Sequence, residues 1–307
     1  MKKQNLRLLT MVYVMGLSIS SGYSLLDTFV FKLGGNSGSN ILNSSLGDSS
    51  QDAIGTSMNP TFTEFGYIDN EINLEIDVIR RYETQVYVAV LTTHNHRLIK
   101  SAFGFDTYGK NFKEKTSVIA DRKNAIFAIN GDYYGFRDIG FVVRNGIVYR
   151  ITPRPQEYDD AIILNDNGEM STFAEAETNL QTLNQMQPWQ VWSFGPVLMN
   201  NTSVVVTPTT KVPYELTSNP RTAIGQISEN EFIFVVSDGR TEESAGLSVY
   251  ELASIFVEYG ATFAYNLDGG GSATMWFNGR IINKPVNSGS TISERSISDI
   301  IYIGYEL

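Results

Sequence analysis

The chain has 307 residues, of which 42% are hydrophobic and 12% aromatic, enough for a sizeable core in one large domain or two small ones. A formal net charge of −10 leaves no basic excess for a nucleic-acid backbone. Cysteine is absent, which excludes a disulfide framework, a thiol nucleophile and a cysteine zinc site.

Lys2, Lys3 and Arg7 make a basic start, and no residue from Leu8 to Leu26 is charged. A helix over that stretch, rising about 1.5 Å per residue, would nearly cross a hydrocarbon core of about 30 Å. Two readings compete: an uncleaved signal anchor with its basic end in the cytoplasm, or a cleaved signal peptide with Ser18 and Ser20 near the cut. Apolar residues continue through Leu25, Leu26, Phe29, Val30 and Phe31, which favours the anchor. The stretch from Gly34 to Met58 is rich in Gly, Ser and Asn and reads as a flexible tether. The expected organisation is a signal anchor or signal peptide over 1–31, a linker over 32–60 and a folded domain over 61–307. The protein is expected to be anchored in the cell membrane facing outside, or secreted.

Gln85–Leu91 reads as a strand, and His94-Asn95-His96 as a turn. These are the only two histidines; one residue apart in a turn, they are read as solvated rather than metal-binding, and no metal or cofactor is expected. A Ser-His-Asp triad would have to use one of them, and no Gly-x-Ser-x-Gly elbow accompanies them. Ser117–Asn124 reads as a short helix capped by Thr116 or Ser117, and Ala125–Ile129 as a buried strand ending in Asn130-Gly131-Asp132. Asn145-Gly146 and Asn278-Gly279 each lie between strand-like runs, a hairpin signal because type I′ turns need two residues at positive φ. Residues 154–190 look irregular, apart from a helix over Glu175–Met186. Phe232–Val236 is a strand ending in Ser237-Asp238-Gly239-Arg240. Ser248-Val249-Tyr250-Glu251 is a capping box, with Leu247 and Leu252 as its staple, and Leu252, Ile255, Phe256 and Tyr259 form one helical stripe that stops at Gly260.

That helix leads into Ala261–Tyr265, a buried strand, and then into Asn266-Leu267-Asp268-Gly269-Gly270-Gly271-Ser272. Three consecutive glycines are poor helix and poor strand; they make sense where backbone must approach something closely, and amides gathered in this way suit an anion such as phosphate. Asn130 and Asp132, Asp238 and Arg240, and Asp268 all sit at strand ends, which is how a site is assembled on a rigid sheet. Arginine forks fit phosphate oxygens, and carboxylates can act as acid, base or nucleophile at a glycosidic carbon. No repeat or second composition shift follows residue 60, so the fold class is α+β: one domain with a mixed, hairpin-rich sheet and few helices.

From about residue 80 to 305 the chain resembles the phosphodiester glycosidase family, which takes in a lysosomal uncovering enzyme and exported bacterial proteins associated with exopolysaccharide. The resemblance rests on ordered blocks: Ala128-Ile129-Asn130-Gly131, Gly195-Pro196, Pro220-Arg221-Thr222-Ala223-Ile224-Gly225, Asp238-Gly239-Arg240, Gly246-Leu247-Ser248, Asn266 through Met275, Asn278-Gly279 and Glu294-Arg295. The family often carries Gly-Gly-Phe-Phe after the first asparagine; here Gly131-Asp132-Tyr133-Tyr134 adds a carboxylate, so the substrate is expected to differ. The resemblance implies hydrolysis of the bond between a sugar's anomeric carbon and a phosphodiester, with a sugar phosphate or glycopolymer as the partner. Asp268, Asp238 and Glu294 are then the catalytic carboxylates. Asn130, Asp132, Arg221, Arg240, Asn266, Gly269, Gly270, Gly271, Ser272 and Arg295 are the substrate-binding set. Two alternatives stay open: a non-catalytic polysaccharide- or cell-wall-binding domain, and a metal-dependent phosphodiesterase, which sensitivity to a chelator would reveal.

Overall fold

Thr84–Thr92 alternates between two apolar environments along its length. Tyr87, Ala89 and Leu91 point into one core, and Val86 and Val88 into another. Successive strand side chains face opposite sides, so this strand is covered on both faces. A computed structural model describes residues 59–155, 160–212, 217–288 and 291–305. The described residues belong to one unit. The segment 1–31 and nearly all of the linker lie outside the described residues. No described helix is long and apolar enough to cross a membrane.

Thr84–Thr92 lies inside a nine-stranded sheet. Asn73–Arg81 pairs on one side of it, followed outward by Gly66–Ile68 and Thr61–Phe62. On the other side come Glu231–Ser237, Thr222–Ser228, Phe263–Asn266, Val197–Asn200 and Ser203–Val204, all antiparallel. Two five-stranded sheets cover one face. One is ordered Met170–Ala174, Asp160–Asn165, Pro188–Trp192, Gly140–Arg144, Ile147–Thr152. The other is ordered Arg280–Ile281, Met275–Phe277, Phe127–Asn130, Asp299–Ile303, Ile99–Phe103. The main core joins Phe232, Phe234 and Val236 of the large sheet to Ile162, Leu164 and Trp192 of one small sheet and Phe127, Ile129, Met275 and Ile301 of the other.

The opposite face of the large sheet carries the helix Val249–Glu258. Its capping box is formed from both sides: Ser248 accepts from Glu251 N, and Glu251 accepts from Ser248 N. Leu252, Ile255 and Phe256 are fully buried, each worth about 1.5–3 kcal/mol of apolar burial. Gly260 follows at φ 71°, as expected of a helix stop. Both Asn-Gly hairpins form, with φ 52° and 79° at Asn145-Gly146 and 46° and 80° at Asn278-Gly279.

Three local expectations are corrected. Residues 154–190 hold strands at Asp160–Asn165, Met170–Ala174 and Pro188–Trp192, whose apolar runs are short and separated by Asp166-Asn167-Gly168. The helix over Glu175–Met186 is broken into a turn at Glu175–Glu177 and a helix at Leu180–Gln185. Glu175 is drawn inward to Arg154 (2.9 Å), and Asn179, extended at ψ 174°, caps the second piece through Thr182 N. Finally, the helix Thr116–Arg122 begins one residue earlier, after Lys115, and neither Thr116 nor Ser117 caps it with its own side chain.

Candidate active site

Strand register gathers the site. Thr222 lies opposite Val236 and Ala223 opposite Asn266, so Arg221, Asp238 and Asp268 leave the nine-stranded sheet at one edge. In the neighbouring sheet Ile300 pairs with Asn130 and Met275 with Ile129, which sets Asn130, Thr274 and Asp299 at one end.

Asn130 joins the two sheets. It is fully buried, its Nδ2 donates to the Asp268 carbonyl (2.6 Å), and its Oδ1 accepts from Thr222 Oγ1 (2.7 Å) and Thr274 N (3.2 Å). Asn283 makes a second tie. It donates to Ala273 O (3.0 Å) and to Asp238 Oδ1 (3.3 Å), and accepts from Met275 N (2.8 Å). Asp238 and Asp268 are thereby both fastened to the glycine loop. Asp238 is buried and also accepts from Lys284 N (2.7 Å) and Tyr87 Oη (3.4 Å). Burial pushes its carboxyl above the ordinary carboxylate range, opposed by those hydrogen bonds. Asp268 is 6% exposed.

The glycines have a different reason from the open anion nest that the sequence implies. A Cβ on Gly269 would meet Pro220 O at 2.6 Å, one on Gly270 would meet the Arg240 guanidinium at 2.8 Å, and one on Gly271 the Arg295 guanidinium at 2.7 Å. The Gly270 amide is committed to Pro220 O (2.8 Å). The loop is bare so that two cationic forks can lie against it, immediately after Asp268. Asn219 Oδ1 orients Arg240 through Nε (3.0 Å), and Asn287 Oδ1 orients Arg295 (2.9 Å). Gly270 has φ 58°, so Gly270→Ala adds backbone strain to a collision with Arg240. It is expected to cost about 1–2 kcal/mol of stability, read from a denaturation curve, with the loss centred on this loop. An unchanged curve would show that the loop and Arg240 move aside freely.

Around the loop, Asn266 Oδ1, Ser272 Oγ and Thr274 Oγ1 are buried without hydrogen-bond partners among the described residues. Such atoms mark places that water or a ligand completes. Asn266 Nδ2 donates to Gly195 O (2.7 Å), holding the Gly195-Pro196 turn against the loop.

Three more of the expected site residues hold parts of the fold together. Arg221 is buried, with Nε on Leu247 O (2.9 Å) and Nη2 on Thr217 O (3.2 Å), so those donors brace the backbone. Both oxygens of Glu294 accept from Ser117, at N (3.0 Å) and Oγ (2.6 Å), which satisfies the first turn of the helix Thr116–Arg122 in place of its own cap. Asp132 turns inward, accepting from Tyr134 N and Ser193 N (both 2.9 Å) and forming an ion pair with Arg144 Nη2 (3.1 Å).

Sequence reasoning missed Arg144 and Asp299. Arg144 is 1% exposed and bonds Asp299 Oδ2 through Nε (2.8 Å). Asp299 is fully buried, and a Cβ on Gly131 would strike its carboxylate. Burial pushes the Asp299 carboxyl up to about 7; Arg144 opposes this, and the charges of Asp132 and Asp268 add to it. The only sequence signal was a charged residue at the end of one apolar strand and at the start of another. No group of three or more His, Cys, Asp or Glu among the described residues is arranged to hold a metal.

Comparison with known proteins bears on the family and the fold. The phosphodiester glycosidase family model matches residues 123–304, more than half of the chain. An uncharacterized SPbeta prophage-derived protein, YomE, of Bacillus subtilis is 27% identical over 209 residues, covering 64% of this chain and 31% of that protein. The mouse N-acetylglucosamine-1-phosphodiester alpha-N-acetylglucosaminidase is 42% identical over 65 residues, which is 21% of this chain and 12% of the mouse protein. The chain thus spans less than a third of either relative. Among solved structures, the zebrafish enzyme of that name, its catalytic domain auto-inhibited by a pro-peptide, superposes with a TM-score of 0.59 at 21% identity, over 76% of this chain and 82% of that one. A hypothetical protein from Synechocystis superposes with a TM-score of 0.56 at 15% identity, over 76% and 62%. These likenesses establish the fold, and the family match carries the assignment: this chain belongs to the phosphodiester glycosidase family.

Proposed function

We propose that this protein hydrolyses the glycosidic bond of a sugar-1-phosphodiester, in a cell-surface or extracellular glycopolymer, with residues 1–31 holding it at the membrane or directing its export. The observation that carries the reading is the pair of guanidinium groups, Arg240 and Arg295, laid on Gly270 and Gly271 directly after Asp268. Two forks supply the charge and geometry for a phosphodiester. A carboxylate beside them suits positive charge developing at the anomeric carbon, and a phosphate leaving group needs little acid assistance. Asp238, held above the ordinary carboxylate range, is the second carboxylate of the site. Membership of the family and similarity to the mammalian enzyme support sugar-phosphodiester hydrolysis in general.

The test is a product assay on a panel of sugar-1-phosphodiesters, including teichoic-acid-like polymers, run with and without chelator. Release of free sugar and a phosphomonoester supports the reading. Release of sugar phosphate in a chelator-sensitive reaction would assign a metal-dependent phosphodiesterase instead. Arg240→Lys is expected to raise KM about tenfold, because a point charge replaces an oriented fork. Arg221→Lys is expected to act on stability instead, given its bonds to Leu247 and Thr217. Unchanged kinetics for Arg240→Lys would remove phosphate recognition from that residue.

A further inference from the structure

Behind Asn130-Gly131 lies a charged cluster that the proposed reaction does not use. Arg144 reaches Asp132 Oδ2 (3.1 Å) and Asp299 Oδ2 (2.8 Å), and all three side chains are essentially without solvent contact. Two carboxylates share the Arg144 guanidinium, with the buried Arg137 charge acting on Asp132 as well, so Asp299 ionises beside another acid with one direct cation between them, which is costly in a low-dielectric interior. The two acids are not equivalent. Asp132 accepts two backbone amides, one on each oxygen, and its Oδ2 lies 3.1 Å from Arg144 Nη2. Asp299 has its Oδ2 on Arg144, while Oδ1 has no partner among the described residues and lies against Gly131. The adjacent Ser298 Oγ is likewise buried without a partner.

Four groups face Asp299. Arg144 comes from the strand Gly140–Arg144, Asp132 from the loop after Asn130, and Asp268 from the glycine loop, close enough for its charge to act on Asp299. The fourth is the Tyr134 hydroxyl, held up chiefly by burial and further by the Asp299 charge. Coupling between Asp268 and Asp299 is reciprocal, so an ionised Asp299 adds negative potential at Asp268 and at the anion site beside it.

We propose that Asp299 is a positioning residue that keeps the wall behind Asp268 neutral: its Oδ1 carries the single proton that the Asp132–Arg144–Asp299 cluster requires, and loss of that proton weakens recognition of the anionic substrate. The inference rests on the proposed sugar-1-phosphodiester reading. The direction follows from sign alone. Below pH 7 the cluster is neutral, and above it a fixed negative charge opposes a phosphodiester. With the Asp299 carboxyl near 7, the change falls between pH 6 and 8.

The experiment measures kcat and KM of the full chain from pH 5.5 to 9 on a methyl sugar-1-phosphodiester, whose single charge is constant over that range. Melting curves are recorded at each pH. In the wild type kcat/KM should fall about tenfold through pH 7, mainly through KM. Asp299→Asn, which mimics the protonated acid, should remove that fall. Asp132→Asn leaves Arg144 paired with one carboxylate and should remove it too, so the proposal stays testable if one variant fails to fold. The melting temperature of the wild type should also decline from pH 5 to 8 relative to Asp299→Asn, because the folded state holds the proton more tightly than the unfolded one. A wild type with no alkaline limb near pH 7, or variants that retain it, would overturn the proposal. If no sugar-1-phosphodiester is hydrolysed at any pH, the functional reading fails by itself. Asp299 is then judged by the melting curves and by calorimetric binding of diethyl phosphate, which should be about tenfold weaker at pH 8.5 than at pH 6 in the wild type only. Equal binding at both pH values, or none, would reject it.

Discussion

Asp268→Asn is expected to lower turnover on a sugar-1-phosphodiester by about 10²-fold or more while leaving the melting curve in place. The substitution conserves volume and polarity and removes one negative charge. Two main-chain bonds hold this loop in place: the Asp268 carbonyl accepts from Asn130 Nδ2, and the Gly270 amide donates to Pro220 O. Asparagine keeps these bonds. The side chain, 6% exposed, lies immediately before the glycines that admit Arg240 and Arg295. If the carboxylate is nucleophile, base or charge stabiliser at the anomeric carbon, its loss is felt in kcat. If Asp268 only closes a turn, asparagine serves almost as well. Near-wild-type turnover with an unchanged melt would remove the catalytic role. Lost turnover with a collapsed melt would move the assignment to Asp238, whose carboxylate accepts from Asn283 and Lys284.

Arg144→Met should destabilise the fold by about 3–5 kcal/mol, since it leaves two buried carboxylates without their shared cation. For a domain of this size that corresponds to a fall in Tm of roughly 10 °C. The loss should depend on pH in a definite sense. Without the guanidinium, nothing opposes the burial that already raises the Asp299 carboxyl, so the folded state carries more protons than the unfolded one and stability falls as pH rises. The deficit against the wild type is therefore expected to be largest near pH 8 and to shrink as pH falls, because the folded variant takes up a proton more readily than the folded wild type does. Denaturant titrations at pH 4.5, 6 and 8 check this. A deficit below about 1 kcal/mol at pH 8, or one that grows on acidification, would show that Arg144 does not neutralise this pair.

Most of what was legible in the sequence was local. The capping box at Ser248–Glu251 and the two Asn-Gly hairpins formed as read, because each is satisfied by bonds and dihedral preferences within a few residues. The helix over Glu175–Met186 failed for the opposite reason. Arg154, distant in sequence, takes the Glu175 carboxylate into the core, and the second piece starts afresh at its own cap, Asn179. The strand at Asp160–Asn165 is hard to read from the sequence because a short apolar run carries little periodic signal of its own. It is defined by its neighbours, Met170–Ala174 and Pro188–Trp192.

The candidate site divides along the same line. The chemistry-bearing loops, the family and the positions of Asp238, Arg240, Asp268 and the three glycines can be read from the chain alone, because strand-end polar residues and glycine runs are visible in one dimension. What each group is bonded to follows from the packing of the sheets. It set Arg240 and Arg295 against Gly270 and Gly271, turned Arg221 toward Leu247 and Thr217, and set Glu294 on Ser117. It also assembled Asp132, Arg144 and Asp299 from three separate elements. Strand register across different sheets brings these side chains within hydrogen-bond reach, and register is a property of pairing partners far apart in sequence, not of any one segment.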